Sequence, residues 1–200
     1  DGDAVYVLDK GPAADFRALD ATGDRRPYRF TYRGEWTGAT RPVDPALVPL
    51  SVESGRTVQA TTTVGAPVRT TRASVRIETT EGYARYEATD VGERVPVEWR
   101  IGIDGAAVTG LERLAGPERV PLPAGASEVD LVVTFVGSGG ASVTYRQEVT
   151  VEATGDRGRV VWPPETRVCR LTTECGSGGT WVGPDGDYLP GVSVTTTAGT

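Results

Sequence analysis

Residues 95–104 read Val-Pro-Val-Glu-Trp-Arg-Ile-Gly-Ile-Asp, and this stretch restricts the fold more than any other. Val95, Val97, Trp99, Ile101 and Ile103 take one set of alternate positions, and Pro96, Glu98, Arg100, Gly102 and Asp104 take the other. A period of two places the first set on one face of a β-strand, and a face so apolar has to be buried. The alternation returns as Val129, Leu131, Val133 and Phe135, and again as Val143, Tyr145, Val149 and Val151. Strands with one apolar face need a second layer to cover them, so the sequence predicts an all-β sandwich anchored by Trp99.

Turn residues divide the chain further. Strands are expected over residues 56–64, 68–79, 83–88, 95–103, 128–136 and 141–152, with a short one around Val108. Glu81-Gly82, Asp104-Gly105 and Ser138-Gly139-Gly140 mark reversals. With no helix between them, these strands describe an Ig-like Greek-key β-sandwich over residues 56–153, with additional N- and C-terminal β segments at 1–55 and 154–200. The paired core cysteines of antibody domains are missing, so the likeness is one of architecture.

In the first segment, Ala4, Val5, Tyr6, Val7 and Leu8 are apolar on both faces, and a strand of that kind needs cover on both sides. A short helical turn is expected over residues 13–19, where Phe16 and Leu19 lie three apart. Tyr28, Phe30 and Tyr32 alternate with Arg29, Thr31 and Arg33 in a further strand, whereas Pro42, Pro45 and Pro49 make residues 34–49 read as irregular. The last segment carries short strands at residues 160–162, 168–173, 180–182 and 192–197, interrupted by Pro163-Pro164 and Pro184-Asp185-Gly186. Forty-odd residues rarely sustain a core of their own, so this tail is expected to pack on the neighbouring unit, on the N-terminal segment or on another copy. Cys169 and Cys175, the only cysteines, are expected to form a disulfide around a short loop.

Composition narrows the chemistry. The formal net charge of -6 argues against a nucleic-acid partner, which needs a basic field. No apolar run approaches the ~20 residues that span a bilayer, so no membrane insertion is expected. There is no His, Met or Asn, and Lys10 is the only lysine among 21 basic residues. Catalytic triads and zinc motifs that depend on histidine are excluded. The glycine clusters at residues 137–140 and 176–179 lack the strand-turn-helix setting of a dinucleotide site. The pairs Asp1/Asp3 and Asp185/Asp187 lack the acidic ladder of a calcium loop. A carboxylate pair could support glycoside hydrolysis, and Glu87, Asp90, Glu93 and Glu98 lie close in sequence, but they read as surface acids. No catalytic residue, cofactor or metal is expected.

Codon bias accounts for part of these absences, and the rest suits a chain poor in oxidisable and deamidating groups. Together with the opening Asp1, taken to follow a cleaved export signal, they give the expectation of an extracellular or cell-surface location. Without Asn there is no N-linked glycan, while the threonine runs 61–63 and 195–197 offer acceptors for O-linked sugar. Arg25, Arg26, Arg29 and Arg33 form a basic group suited to a solvated edge, an acidic neighbour or an acidic glycan. The functional expectation is a non-enzymatic structural subunit of a filament, surface layer or virion. It would self-associate into a homopolymer by strand addition, with Ala4, Val5, Tyr6, Val7 and Leu8 as the donor. The alternative is a monomeric recognition module that binds glycan or protein through loops and exposed aromatics such as Trp36 or Trp181.

Overall fold

The computed structural model describes residues 4–33, 44–67, 70–89, 91–170, 175, 180–182, 186–189 and 192–199. Helix α1 (Pro12–Thr22) is followed by β1 (Tyr28–Arg33), β2 (Asp44–Pro49), β3 (Ser51–Gly55), β4 (Thr57–Gly65), β5 (Thr70–Thr79), β6 (Gly82–Ala88), β7 (Arg94–Gly102) and β8 (Gly105–Thr109). Then come β9 (Glu112–Ala115), β10 (Gly125–Gly137), β11 (Ser142–Thr154), β12 (Arg157–Trp162), β13 (Glu165–Arg170), β14 (Thr180–Val182), β15 (Gly186–Leu189) and β16 (Val192–Gly199).

Two antiparallel sheets form the sandwich. The larger runs β14-β13-β11-β10-β5-β6-β9, with β12 joined to β11 and β3 joined to β12; the smaller runs β15-β16-β4-β7-β8. Strands β1 and β2 pair separately as a hairpin. The all-β sandwich expected from the alternation is therefore what forms. The core lies between the sheets, with Val58 and Val64 of β4 and Val97, Trp99 and Ile101 of β7 facing Ile77 of β5, Leu131 and Phe135 of β10 and Tyr145 of β11. Fully burying a side chain such as Phe135 contributes roughly 2–3 kcal/mol. Trp99 lies 6.0 Å from Trp162 between ring centroids, and Phe135 meets Tyr145 edge-on at 6.0 Å.

Residues 154–200 supply strands to both sheets: β13 pairs with β11, and β16 pairs with β4 through Thr195↔Thr63 and Thr197↔Thr61. Residues 44–49, expected to be irregular, form β2 despite Pro45 and Pro49. Proline costs little there because a two-stranded hairpin consists only of edges.

A polar network crosses the core. Trp99 Nε1–H donates to Thr62 Oγ1 at 3.1 Å, and Thr62 Oγ1 donates to Gln147 Oε1 at 2.5 Å. Thr62 also lies 3.2 Å from Thr196 Oγ1, and Gln147 Nε2 donates to Thr166 Oγ1 at 3.1 Å. A hydroxyl has one proton and two lone pairs, so Thr62, having spent its proton on Gln147, must accept from both Trp99 and Thr196. Thr62 is thus a structural hydroxyl joining the two sheets, Thr196 supports it from the neighbouring strand of the smaller sheet, and Tyr145 adds a second link by donating to Gly65 O at 2.8 Å.

Candidate functional site

The face of the larger sheet that points away from the core is assembled by register. Asp130 of β10 pairs with Glu78 of β5 on one side and Glu148 of β11 on the other, and Glu148 pairs with Glu165 of β13. Four carboxylates therefore stand in one row across four strands. The next row holds Arg76, Val132, Arg146 and Arg167 on the same strands. Like charges on adjacent strands repel, and here the arginine row offsets that repulsion.

Arg146 is the hub of this arrangement. Its Nη2 donates to Asp130 Oδ2 at 2.7 Å, Nη1 reaches Glu78 at 3.4 Å, and Nε lies 3.8 Å from Glu148. Arg167 holds Glu148 at 2.8 Å, and Arg76 holds Glu78 at 2.8 Å. Asp130 is only 7% exposed, and its Oδ1 is buried with no hydrogen-bond partner. Burial pushes its carboxyl up to about 7, and Glu148, Glu78 and Glu128 add to the rise against the pull of Arg146.

Helix α1 lies over β10 and β11 on this side. Pro12 occupies its first turn, where a missing N–H costs nothing, and Asp9 Oδ1 accepts from Gly11 N–H at 2.8 Å just ahead of it. The expected turn at residues 13–19 is thus the middle of a longer helix. Phe16, 1% exposed, docks it, with the Arg159 guanidinium 4.7 Å from its ring centroid. Arg159 also holds Asp20 at 2.5 Å and Glu152 at 2.6 Å, tying helix to sheet. The Arg159 contact keeps the Asp20 carboxyl below its ordinary value.

Strand β1 is fixed by Arg29. Its Nη1 donates to Pro163 O at 2.9 Å and its Nε lies 3.1 Å from Glu165. Burial lowers the guanidinium's affinity for its proton, and burial likewise raises Glu165 against the pull of Arg29. Of the basic group in the sequence, Arg29 is therefore an internal tie, Arg26 is exposed, and the Arg33 side chain lies outside the described residues.

The apolar surface lies beside these ties. Ala4 to Lys10 forms no strand and is exposed throughout, with Tyr6 93% and Leu8 77% accessible. The strand expected at Ala4, Val5, Tyr6, Val7 and Leu8 is therefore absent from the single chain, because no described strand pairs with it. Tyr28, Phe30 and Leu47 of the hairpin are also exposed, and Phe30 and Leu47 are register partners.

Other expected features fall as follows. Cys169 and Cys175 are bonded to each other. Among the acids weighed for hydrolysis, Glu93 and Glu98 are exposed and Glu87 lies 3.6 Å from Arg72, while Asp90 is outside the described residues. Asp1, Asp3, Trp36, Asp185 and the side chains of Trp181 and Asp187 are outside them too. No metal-holding group of His, Cys, Asp or Glu occurs among the described residues, and no described helix is long and apolar enough to cross a membrane. The sequence alone did not reveal the carboxylate row, since its members come from four separate strands and each one reads singly as a solvated position.

The model of a family described as a domain of unknown function, DUF7846, matches residues 1–149, which ends within β11. No curated protein and no solved structure matches the chain. The match covers the helix, the hairpin and the strands that carry Glu78, Asp130 and Glu148, and the chain belongs to the DUF7846 family.

Proposed function

We propose that the chain is a non-enzymatic structural subunit of an extracellular assembly, a filament, surface layer or virion, and that residues 4–8 join one subunit to the next. The observation carrying this reading is the exposure of Val5, Tyr6, Val7 and Leu8 ahead of a helix tied firmly to the sandwich. An apolar segment left in water favours burial against a partner, and extended chain buries itself well by adding to a sheet edge. The Cys169–Cys175 bond supports an oxidising location, since disulfides persist outside the reducing cytosol.

Deleting residues 1–9 tests the reading. The shortened chain should stay folded and sediment as a monomer under conditions in which the full chain polymerises; polymers that form equally well without the segment would contradict it. A second reading, a monomeric module recognising glycan or protein, draws on the exposed Tyr28 and Phe30 of the hairpin. It requires a saturable ligand whose binding is lost in Phe30→Ser while the chain remains monomeric.

A further inference from the structure

The outer charge rows are poorly balanced for a covered surface. From the strands come Glu78 and Arg76 on β5, Glu128 and Asp130 on β10, Arg146 and Glu148 on β11, and Glu165 and Arg167 on β13. The covering part adds Asp9, Asp15 and Arg29, each of which acts electrostatically on the groups beneath. Seven carboxylates thus surround four guanidiniums, and α1 and β1 close over them. At the middle of the row, Asp130 Oδ1 is buried between two neighbouring carboxylate positions and accepts nothing. An ionised oxygen in that setting loses its hydration without return, whereas a protonated one becomes a donor facing two acceptors.

We propose that this row is a proton-operated latch: a proton taken up at Asp130 tightens the hold of the sandwich on α1 and β1, and its loss loosens them. The proton comes from solvent and returns to it, and no covalent bond changes. Opening admits water to the row and relieves the repulsion among its carboxylates, so the ionised form favours the open state. The direction is set by burial, which raises Asp130, Glu128, Glu165 and Asp15 alike. Each of the four holds its proton better when covered, so acidification closes the latch and alkalinisation opens it. Arg29 supplies the mechanical tie through Glu165 and Pro163 O, and Phe16 with Arg159 supplies the second. The inference concerns how the N-terminal part is held and stands apart from whether residues 4–8 join subunits.

Amide hydrogen exchange of the intact chain, corrected for intrinsic rates, tests it at about pH 5 and about pH 8.5, on either side of the Asp130 transition. Exchange in α1 and β1 should be roughly tenfold slower at the acidic pH, with β4 and β7 of the other sheet unchanged. Asp130→Asn, which keeps an acceptor for Arg146 but carries no charge, should lose most of the pH dependence of protection in α1 and β1, leaving the smaller part that Glu128, Glu165 and Asp15 supply. Glu148→Gln, a milder removal of charge from the row, should reduce the pH dependence without abolishing it. Corrected exchange in α1 that is the same at both pH values in the unsubstituted chain would overturn the latch, whatever the variants do. So would an Asp130→Asn chain with the original pH dependence.

Discussion

Arg146 donates to one oxygen of Asp130 at 2.7 Å, and the other oxygen of the same carboxylate is buried with no partner. The pair is therefore half-satisfied, and burial outweighs the cation in setting the Asp130 equilibrium. The folded value of about 7 stands above the ordinary 3.8, so between these values the folded chain holds a proton that the unfolded chain has released. This contribution to stability is complete below the lower value and is lost as the pH rises through the upper one. One such group gives a slope of at most about 1.4 kcal/mol per pH unit. Urea midpoints measured across this range should fall with rising pH, and Asp130→Asn should flatten the curve.

Thr62 sits at the junction of the core network, taking two hydrogen bonds and giving one. Thr62→Val keeps the shape but strips Trp99 Nε1–H of its acceptor and Gln147 Oε1 of its donor. Leaving buried polar groups unsatisfied costs about 1–3 kcal/mol each, so the substitution should destabilise the fold by about 3 kcal/mol. Equilibrium unfolding in urea followed by Trp fluorescence would measure it. Thr61→Val, outside the network, should change stability by less than about 0.5 kcal/mol.

Helix α1 is attached through one buried side chain. Phe16→Ala should cost about 3 kcal/mol of helix docking through the lost burial and the cavity left behind. Because the core lies between the sheets, the loss should appear as proteolysis within residues 12–22 while the sandwich resists. Digestion followed by mass spectrometry distinguishes this from global unfolding.

The disulfide spans a sequence separation of 6. On the chain-entropy relation a ring of that size stabilises by about 2 kcal/mol, so the double variant Cys169→Ser, Cys175→Ser should remain folded with a melting temperature lower by about 4–8 °C. A chain that no longer folds would mean that the bond organises β13 and β14.

Much of the sandwich was legible because alternation is a local signal. Val95, Val97, Trp99 and Ile101 could be assigned to a buried face without knowing their partners, and all four are buried there. Partners are a different matter. Nothing in Val192–Gly199 says that it lies beside β4, more than a hundred residues earlier, so the tail read as an appendage. The prolines at 45 and 49 hid β2, because proline excludes a strand only from a sheet interior. Asp130 lies on the face away from Leu131, where alternation predicts a solvated residue, and yet it is buried, because no local pattern records what covers an outer face. Arg29 misled for the same reason: on its own strand it is a polar-face residue, and its partner Glu165 lies 136 positions along the chain.

The role proposed for this chain is to join copies of itself through its N-terminal segment. Electron microscopy of the protein as isolated from its native source, before any denaturing or concentrating step, tests it most directly. Regular fibres or a lattice should be seen, and should disappear when residues 1–9 are deleted. Dispersed particles of monomer size in the native material would contradict it and turn attention to the exposed Tyr28 and Phe30 as a ligand-binding surface.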